Sequence, residues 1–364
     1  MDSIRVEPDG VWEWDRCVTA PFSSILYLAS VLLAATLSGI DFSKDFTDPE
    51  DRDAIKLYMT EALDEAEAIV YRSTSEEDLK LWIYRPTTSN AVGPRERTPA
   101  IVFIHGGGWG GGHASYFAPQ AYYFAQRGIL SVTLNYRLTN SLTENIPRKV
   151  PKREKSYIED CVRDAKSAMR WLRSRADELG IDPDRIVVSG GSAGAHIAMC
   201  LGTMNAFNNP EDDLALSPHP NAMILFNPAI DFIESEQGRK IGRAMADRLG
   251  LPLETLSPAH LVDTKTAPTL ILSGEKDTLI PPALVYRFLE RMAAVDRPAR
   301  FVEYAGAGHG FFNFWPARNP YFVSTIEKAD EYLVELGYLS GEPDIRQRVP
   351  WYTGEPAFTV YNSK

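Results

Sequence analysis

The residues best placed to do chemistry are Gly190-Gly191-Ser192-Ala193-Gly194. They stand between a short apolar run, Arg185–Ser189, and a small-residue segment that reads as a helix from Ser192 to about Asn205. A serine hydroxyl is a weak nucleophile until a base takes its proton and a donor receives the charge that attack creates. A sharp strand-to-helix turn serves both needs. It pushes the serine outward in a strained geometry that only small neighbours permit, and the helix start leaves unpaired N–H groups. The N–H of Ala193 is therefore a candidate oxyanion donor. The competing reading is a glycine-rich helix start without chemistry.

A base and an orienting acid lie further along the chain. Gly308-His309-Gly310 follows the last strand-like run, in a loop of small residues able to carry an imidazole to a sheet edge. Asp277 follows the buried run Thr269–Ser273 and can accept Nδ1–H of that imidazole, holding its tautomer. Glu275 in the same loop and Asp231 after an earlier strand are the alternatives. Upstream, His105-Gly106-Gly107-Gly108-Trp109 directly follows another buried run. Its glycines let backbone N–H groups approach a substrate oxygen without interference from a Cβ. Gly106, Gly108 and Gly111 also fit a dinucleotide fingerprint, but the next strand, Ile129–Leu138, has no acidic residue to hold a ribose.

These residues need a scaffold that brings distant segments to one edge. Ala68–Ser73 and Leu79–Pro86 read as a hairpin. Ala100–His105, Ile129–Leu138, Arg185–Ser189, Ala222–Ile230, Thr269–Ser273 and Arg300–Tyr304 read as strands, most of them continuous apolar runs suited to burial on both faces. Tyr157–Leu179 places Ile158, Val162, Ala165, Met169, Leu172 and Ala176 at helical spacing. Pro281–Ala294 and Pro320–Leu336 read as helices, and Asp231–Leu261 as part of a cap. This alternation predicts an α/β fold: a mostly parallel sheet with an antiparallel N-terminal edge, helices on both faces and small cap insertions.

A net charge of −11 argues against general affinity for nucleic acid. Three cysteines without a C-x-x-C pair exclude a disulfide-dense scaffold and speak against zinc, so no metal is expected. Residues 17–40 carry no charge and include the apolar stretch Ile25–Leu37. The expectation is a signal or membrane-anchor segment over residues 1–40 and an exported protein, with any membrane association confined to 17–40. The acidic first sixteen residues favour the alternative, a buried helix in a cytoplasmic protein. Residues 41–67 are expected to be a linker and N-terminal helix, 68–340 the catalytic domain, and 341–364 a tail packed on it. Within 139–156, Arg148, Lys149, Lys152, Arg153 and Lys155 make a basic insertion in an acidic chain.

From about residue 68 to 336 the chain resembles the HGGG-type esterase/lipase group of α/β-hydrolases, often described with the hormone-sensitive lipases. Ala68–Pro86, Ser257–Pro282 and Tyr304–Phe312 are closer to bacterial carbohydrate and feruloyl esterases. The resemblance implies a catalytic triad of Ser192, Asp277 and His309, in the chain order this fold uses. It implies an oxyanion hole from Gly107 and Gly108 joined by Ala193. The implied reaction is hydrolysis of a short-acyl or carbohydrate-linked ester without a cofactor. Aryl-formamide hydrolysis, peptidase activity and an inactive binding module are the alternatives. Trp109, Phe311 and Phe312, with Phe314 and Trp315 nearby, are candidates to line the substrate pocket. The chain departs from the family in its insertion after Arg137, its uncharged N-terminal segment and its aromatic tail.

Overall fold

The computed structural model describes residues 3–6, 52–75, 77–87, 97–139, 157–234, 236, 238–240, 242–243, 252–314, 319–349 and 354–363, of 3–6 and 52–54 the backbone only. Residues 17–40, most of the basic insertion and Trp315 lie outside these. Among the described residues no helix is long and apolar enough to cross a membrane.

Among the described residues ten strands form one sheet. They are β1 (Ser3–Val6), β2 (Glu67–Ser73), β3 (Asp78–Tyr84), β4 (Thr98–Ile104), β5 (Leu130–Leu134), β6 (Ile181–Gly191), β7 (Ala222–Phe226), β8 (Thr269–Gly274), β9 (Ala299–Tyr304) and β10 (Phe358–Asn362). Their order is β1-β10-β9-β8-β7-β6-β4-β5-β3-β2. From β5 to β9 every pairing is parallel, whereas β2, β3, β10 and β1 add antiparallel edges. The expected hairpin is present, with Glu67 opposite Ile83 and Ser73 opposite Asp78.

The apolar runs behave as strands buried on both faces. In β4, Ala100, Val102 and Ile104 join one core and Ile101 and Phe103 the other, the period-two alternation of a pleated strand. The helices divide accordingly. The first core takes α3 (Ile158–Ser174), its short continuation α4 (Ala176–Leu179), α5 (Ala193–Thr203) and α6 (Pro282–Ala294). The second takes α1 (Arg52–Asp64), α2 (Ala118–Gln126), α7 (Pro320–Glu335) and the single turn α8 (Ile345–Arg348). In α1 the buried Ile55, Tyr58, Met59, Ala62 and Leu63 make one helical stripe.

Segments of the sheet differ from expectation. The strand expected over Ile129–Leu138 ends at Leu134, and that expected over Ala222–Ile230 ends at Phe226. In each case the remaining residues form the loop at the strand's C-terminal end. The tail supplies a strand of its own, β10, whose Phe358–Asn362 pairs with β9 down to Arg300.

Candidate active site

The loops that carry the singled-out residues all leave the C-terminal ends of parallel strands: β4 for His105–Trp109, β6 for Ser192, β7 for Asn227, β8 for Asp277 and β9 for His309. This is the edge at which open α/β sheets bind ligands. Strand order then decides the neighbours, because β4, β6, β7, β8 and β9 stand side by side.

Ser192 sits between β6 and α5 with φ 55° and ψ −117°, a region sparsely populated by non-glycine residues and costly without support from its surroundings. Its N–H donates to Phe226 O at 2.8 Å, and its carbonyl accepts the N–H of His196 at 3.0 Å. A Cβ on Gly194 would overlap the carbonyl of Ile104 and lie 2.5 Å from His105 O. Only glycine lets the start of α5 approach β4 this closely.

The Ser192 Oγ lies 3.0 Å from His309 Nε2, and His309 Nδ1 lies 2.8 Å from Asp277 Oδ2. Asp277 is buried, at 4% exposure. Its Oδ1 accepts the backbone N–H groups of Leu279 and Ile280, each at 2.9 Å. Burial raises its pKa, but the hydrogen bonds from His309 and these amides outweigh burial and hold the carboxyl below the usual carboxylate range. The structure thus brings Ser192, His309 and Asp277 into one hydrogen-bonded line.

The other two carboxylates lie elsewhere. Glu275 accepts the N–H of Gly306 at 2.8 Å and so braces the loop ahead of His309. Asp231 faces His260 at 2.9 Å, in a cluster with Glu234 that Arg287 and Arg291 also enter. The acid and histidine loops are further tied by Lys276 N–H donating to Ala307 O at 2.8 Å.

In the glycine loop Gly107 has φ 116°, Gly108 φ 61° and Trp109 φ 58°. A Cβ on Gly107 would lie 2.7 Å from Gly112 N and overlap the Gly111 carbonyl, so this left-handed position needs glycine on two counts. Gly107 and Gly108 are solvent-accessible, whereas His105 and Trp109 are buried. His105 stacks on Tyr136 at 4.4 Å, and its Nδ1 is 2.8 Å from Gly106 O. Burial pushes its pKa down to about 4, so it holds the loop as a neutral ring. Gly106 lies against Gly191 and Ser192, where a Cβ would stand 3.3 Å from Ser192 Cβ. The glycine loop and the serine turn are therefore adjacent.

The aromatic pocket candidates are placed as packing groups. Trp109 contacts His196 and Phe232 edge-on, at 5.3 and 5.9 Å between centroids. Phe312 stacks on Phe117 and Phe226 at 5.8 and 4.8 Å, directly behind Gly191. Phe311 packs on Tyr304 and Tyr321, and Phe314 on Tyr58 and Phe322. All four rings are at least nine-tenths buried, with exposures of 3–7%. They build the walls behind the catalytic loops.

One residue of the site was not singled out from sequence. Asn227 is fully buried and donates its side-chain amide to Asp277 Oδ2 at 2.6 Å. A signal for it exists only in hindsight: a polar residue immediately after the buried run of β7, which stands beside β8.

Known proteins similar to the chain identify its family. A family model described as BD-FAE matches residues 81–292. Esterase 2 of Thermogutta terrifontis, solved with propionate bound, is 38% identical, covers 77% of this chain and 97% of its own, and superposes with a TM-score of 0.67. Esterase LipC of Mycobacterium tuberculosis is 27% identical over 241 residues, 60% of this chain and 54% of its own. A probable isoprenylcysteine alpha-carbonyl methylesterase of Arabidopsis thaliana, ICMEL1, is 25% identical over 264 residues, 66% of this chain and 50% of its own. The chain spans about half the length of these curated relatives. With the matched model covering more than half of its residues, on a ten-stranded hydrolase sheet, the chain belongs to the BD-FAE family of α/β-hydrolases.

Proposed function

We propose that the chain is a serine-dependent carboxylic-ester hydrolase that works through an acyl-enzyme. The observation that carries this reading is the line from Ser192 Oγ through His309 to a carboxylate that only accepts hydrogen bonds. As Oγ attacks the ester carbonyl carbon, its proton passes to His309 Nε2 and the carbonyl electron pair moves onto oxygen. The N–H groups of Gly107, Gly108 and Ala193 receive that oxyanion, and each such donor is worth about 3 kcal/mol of barrier. Collapse of the intermediate breaks the bond to the alcohol, which leaves with the proton from His309. Water, deprotonated by His309, then attacks the acyl-enzyme and releases the acid and the serine. Asp277 keeps Nδ1 protonated and stabilises the imidazolium.

The substrate class is esters of short acyl chains, including those on carbohydrates. The 38%-identical esterase has been solved with propionate and the 37%-identical form with butyrate, both short carboxylates. The sequence resemblance to carbohydrate and feruloyl esterases supports the sugar-linked alcohol. The test is a panel of p-nitrophenyl esters from acetate to octanoate and acetylated sugars, beside labelling with a fluorophosphonate probe. Turnover falling with chain length, and labelling that disappears in Ser192→Ala, are expected. A wild-type protein that neither turns over any ester nor takes the probe overturns the proposal.

A further inference from the structure

The two halves of the proposed oxyanion hole stand on segments far apart in sequence, Gly107-Gly108 after β4 and Ala193 at the start of α5. Their spacing has to be held to within a fraction of an ångström for the N–H groups to converge on one oxygen, because small misplacements at reacting centres cost large factors in rate. One side-chain hydrogen bond joins the two segments directly. The indole N–H of Trp109, the residue after Gly108, donates to Nδ1 of His196 at 3.2 Å. His196 lies one helical turn beyond Ser192.

His196 is fully buried and its other nitrogen, Nε2, lies 2.9 Å from Leu256 O. A carbonyl can only accept, so Nε2 carries the proton and Nδ1 keeps the lone pair that faces Trp109. One tautomer satisfies both partners. Burial pushes the imidazole down to about 4, so the ring stays neutral at neutral pH and the acceptor is not lost to protonation. Phe232 closes the arrangement, 5.3 Å from the His196 ring and 5.9 Å from that of Trp109. Trp109 itself has φ 58°, a conformation uncommon for so bulky a residue and retained only where the surroundings enforce it.

We propose that His196 is a positioning residue for the oxyanion hole: its Nδ1 anchors the Trp109 end of the glycine loop to the serine helix, while its Nε2–H fixes the ring against the Leu253–Leu256 turn. This rests on the hydrolase reading above. It assigns Trp109 a purpose other than substrate contact.

The experiment compares wild type, Trp109→Phe, His196→Leu and His196→Gln. It measures kcat and KM on p-nitrophenyl butyrate and the inhibition constant of a trifluoromethyl ketone. Addition of Ser192 Oγ to that ketone passes the serine proton to His309 and leaves an oxyanion in the hole. Trp109→Phe keeps an aromatic ring in the core while deleting the donor and part of the ring volume. It should lower kcat and weaken the ketone by the same factor, about tenfold, with KM within about twofold, since interactions made only in the transition state appear in kcat and in analogue binding. His196→Leu should do at least as much. His196→Gln, which offers an acceptor and a donor from one amide, should recover most of the loss. If His196→Leu does not fold, Trp109→Phe and His196→Gln decide the matter. A folded Trp109→Phe with wild-type kcat and ketone affinity overturns the strut while leaving the hydrolase standing. A wild type inert to both ester and ketone overturns the hydrolase reading and the strut with it.

Discussion

Asn227 and His309 share one oxygen of Asp277: the Asn227 amide donates to Oδ2 at 2.6 Å, and His309 Nδ1 meets the same atom at 2.8 Å. With Leu279 and Ile280 on Oδ1, these hydrogen bonds favour the ionised carboxylate against its burial and fix its rotation. Asn227 has φ 43°, a region that asparagine enters more readily than most residues. Asn227→Ala removes a hydrogen bond to a charged group, about 1.5–3 kcal/mol in general. It should lower kcat by about tenfold or more with KM little changed. Asn227→Asp should lower kcat more than Asn227→Ala, because a second carboxyl this close to Oδ2 shares a proton with Asp277 and withdraws charge from the atom that faces His309. Wild-type kcat in both folded variants would show that Asn227 does not act on this pair.

Ser192→Ala should leave the fold intact, since alanine is no bulkier at a backbone that already has φ 55°. If Ser192 is the nucleophile, kcat falls by about 10⁴–10⁶-fold. Retention of a tenth of the activity in a pure preparation would refute the assignment.

For Asp277→Asn the expected loss in kcat is about 10²–10⁴-fold, from the wrong histidine tautomer and the missing charge. Asp231→Asn, which disturbs the His260 cluster instead, should have a far smaller effect. The pH dependence of stability adds an independent check. The folded-state pKa of Asp277 is depressed, so its contribution is fully present above the unfolded value of about 3.9 and lost as pH falls through the lower folded value. Wild type should therefore exceed Asp277→Asn in melting temperature by a margin that shrinks as pH falls below about 4. A margin independent of pH would show that the ionised form gains nothing on folding.

How much of this could be read from sequence depended on whether a residue's role is local. The placement of Ser192 follows from its immediate neighbours, because the turn geometry is fixed by Gly190, Gly191 and Gly194 themselves. The loops bearing Asp277 and His309 follow from their positions after apolar runs. Asn227 could not be read in this way: it acts on Asp277 because β7 lies beside β8, and no local pattern records that adjacency. Trp109 looked like a pocket residue because it adjoins the glycines, whereas its ring turns into the core toward His196. The strand β10 escaped notice because Phe358–Asn362 is only half-buried and shows no alternation. Its pairing with β9 is a tertiary event. The helix α2 was missed between two strands, with nine residues and a proline in its first turn.

The last prediction concerns two glycines whose neighbours differ in kind. A Cβ on Gly191 would overlap Phe312 Cζ and stand 2.8 Å from its Cε2. Phe312 belongs to the loop that carries His309, and its ring stacks on both Phe117 and Phe226. Gly191→Ala should therefore push the ring away, displace the histidine loop and reduce kcat, at a cost in stability of about 1–3 kcal/mol for overpacking. Shortening the obstacle relieves the clash, so Gly191→Ala with Phe312→Leu should be more active than Gly191→Ala alone, a non-additivity that a double-mutant cycle measures. At Gly194 the obstacle is backbone, the carbonyls of Ile104 and His105, which cannot be trimmed. Gly194→Ala should be the more destabilising change, and Phe312→Leu should not rescue it. Denaturant unfolding and initial rates on the three single and two double variants test both halves. Additive losses at Gly191 and Phe312 would show that the two residues do not meet, and that the histidine loop is held by its hydrogen bonds, among them those from Gln120 and Asn319, rather than by this ring.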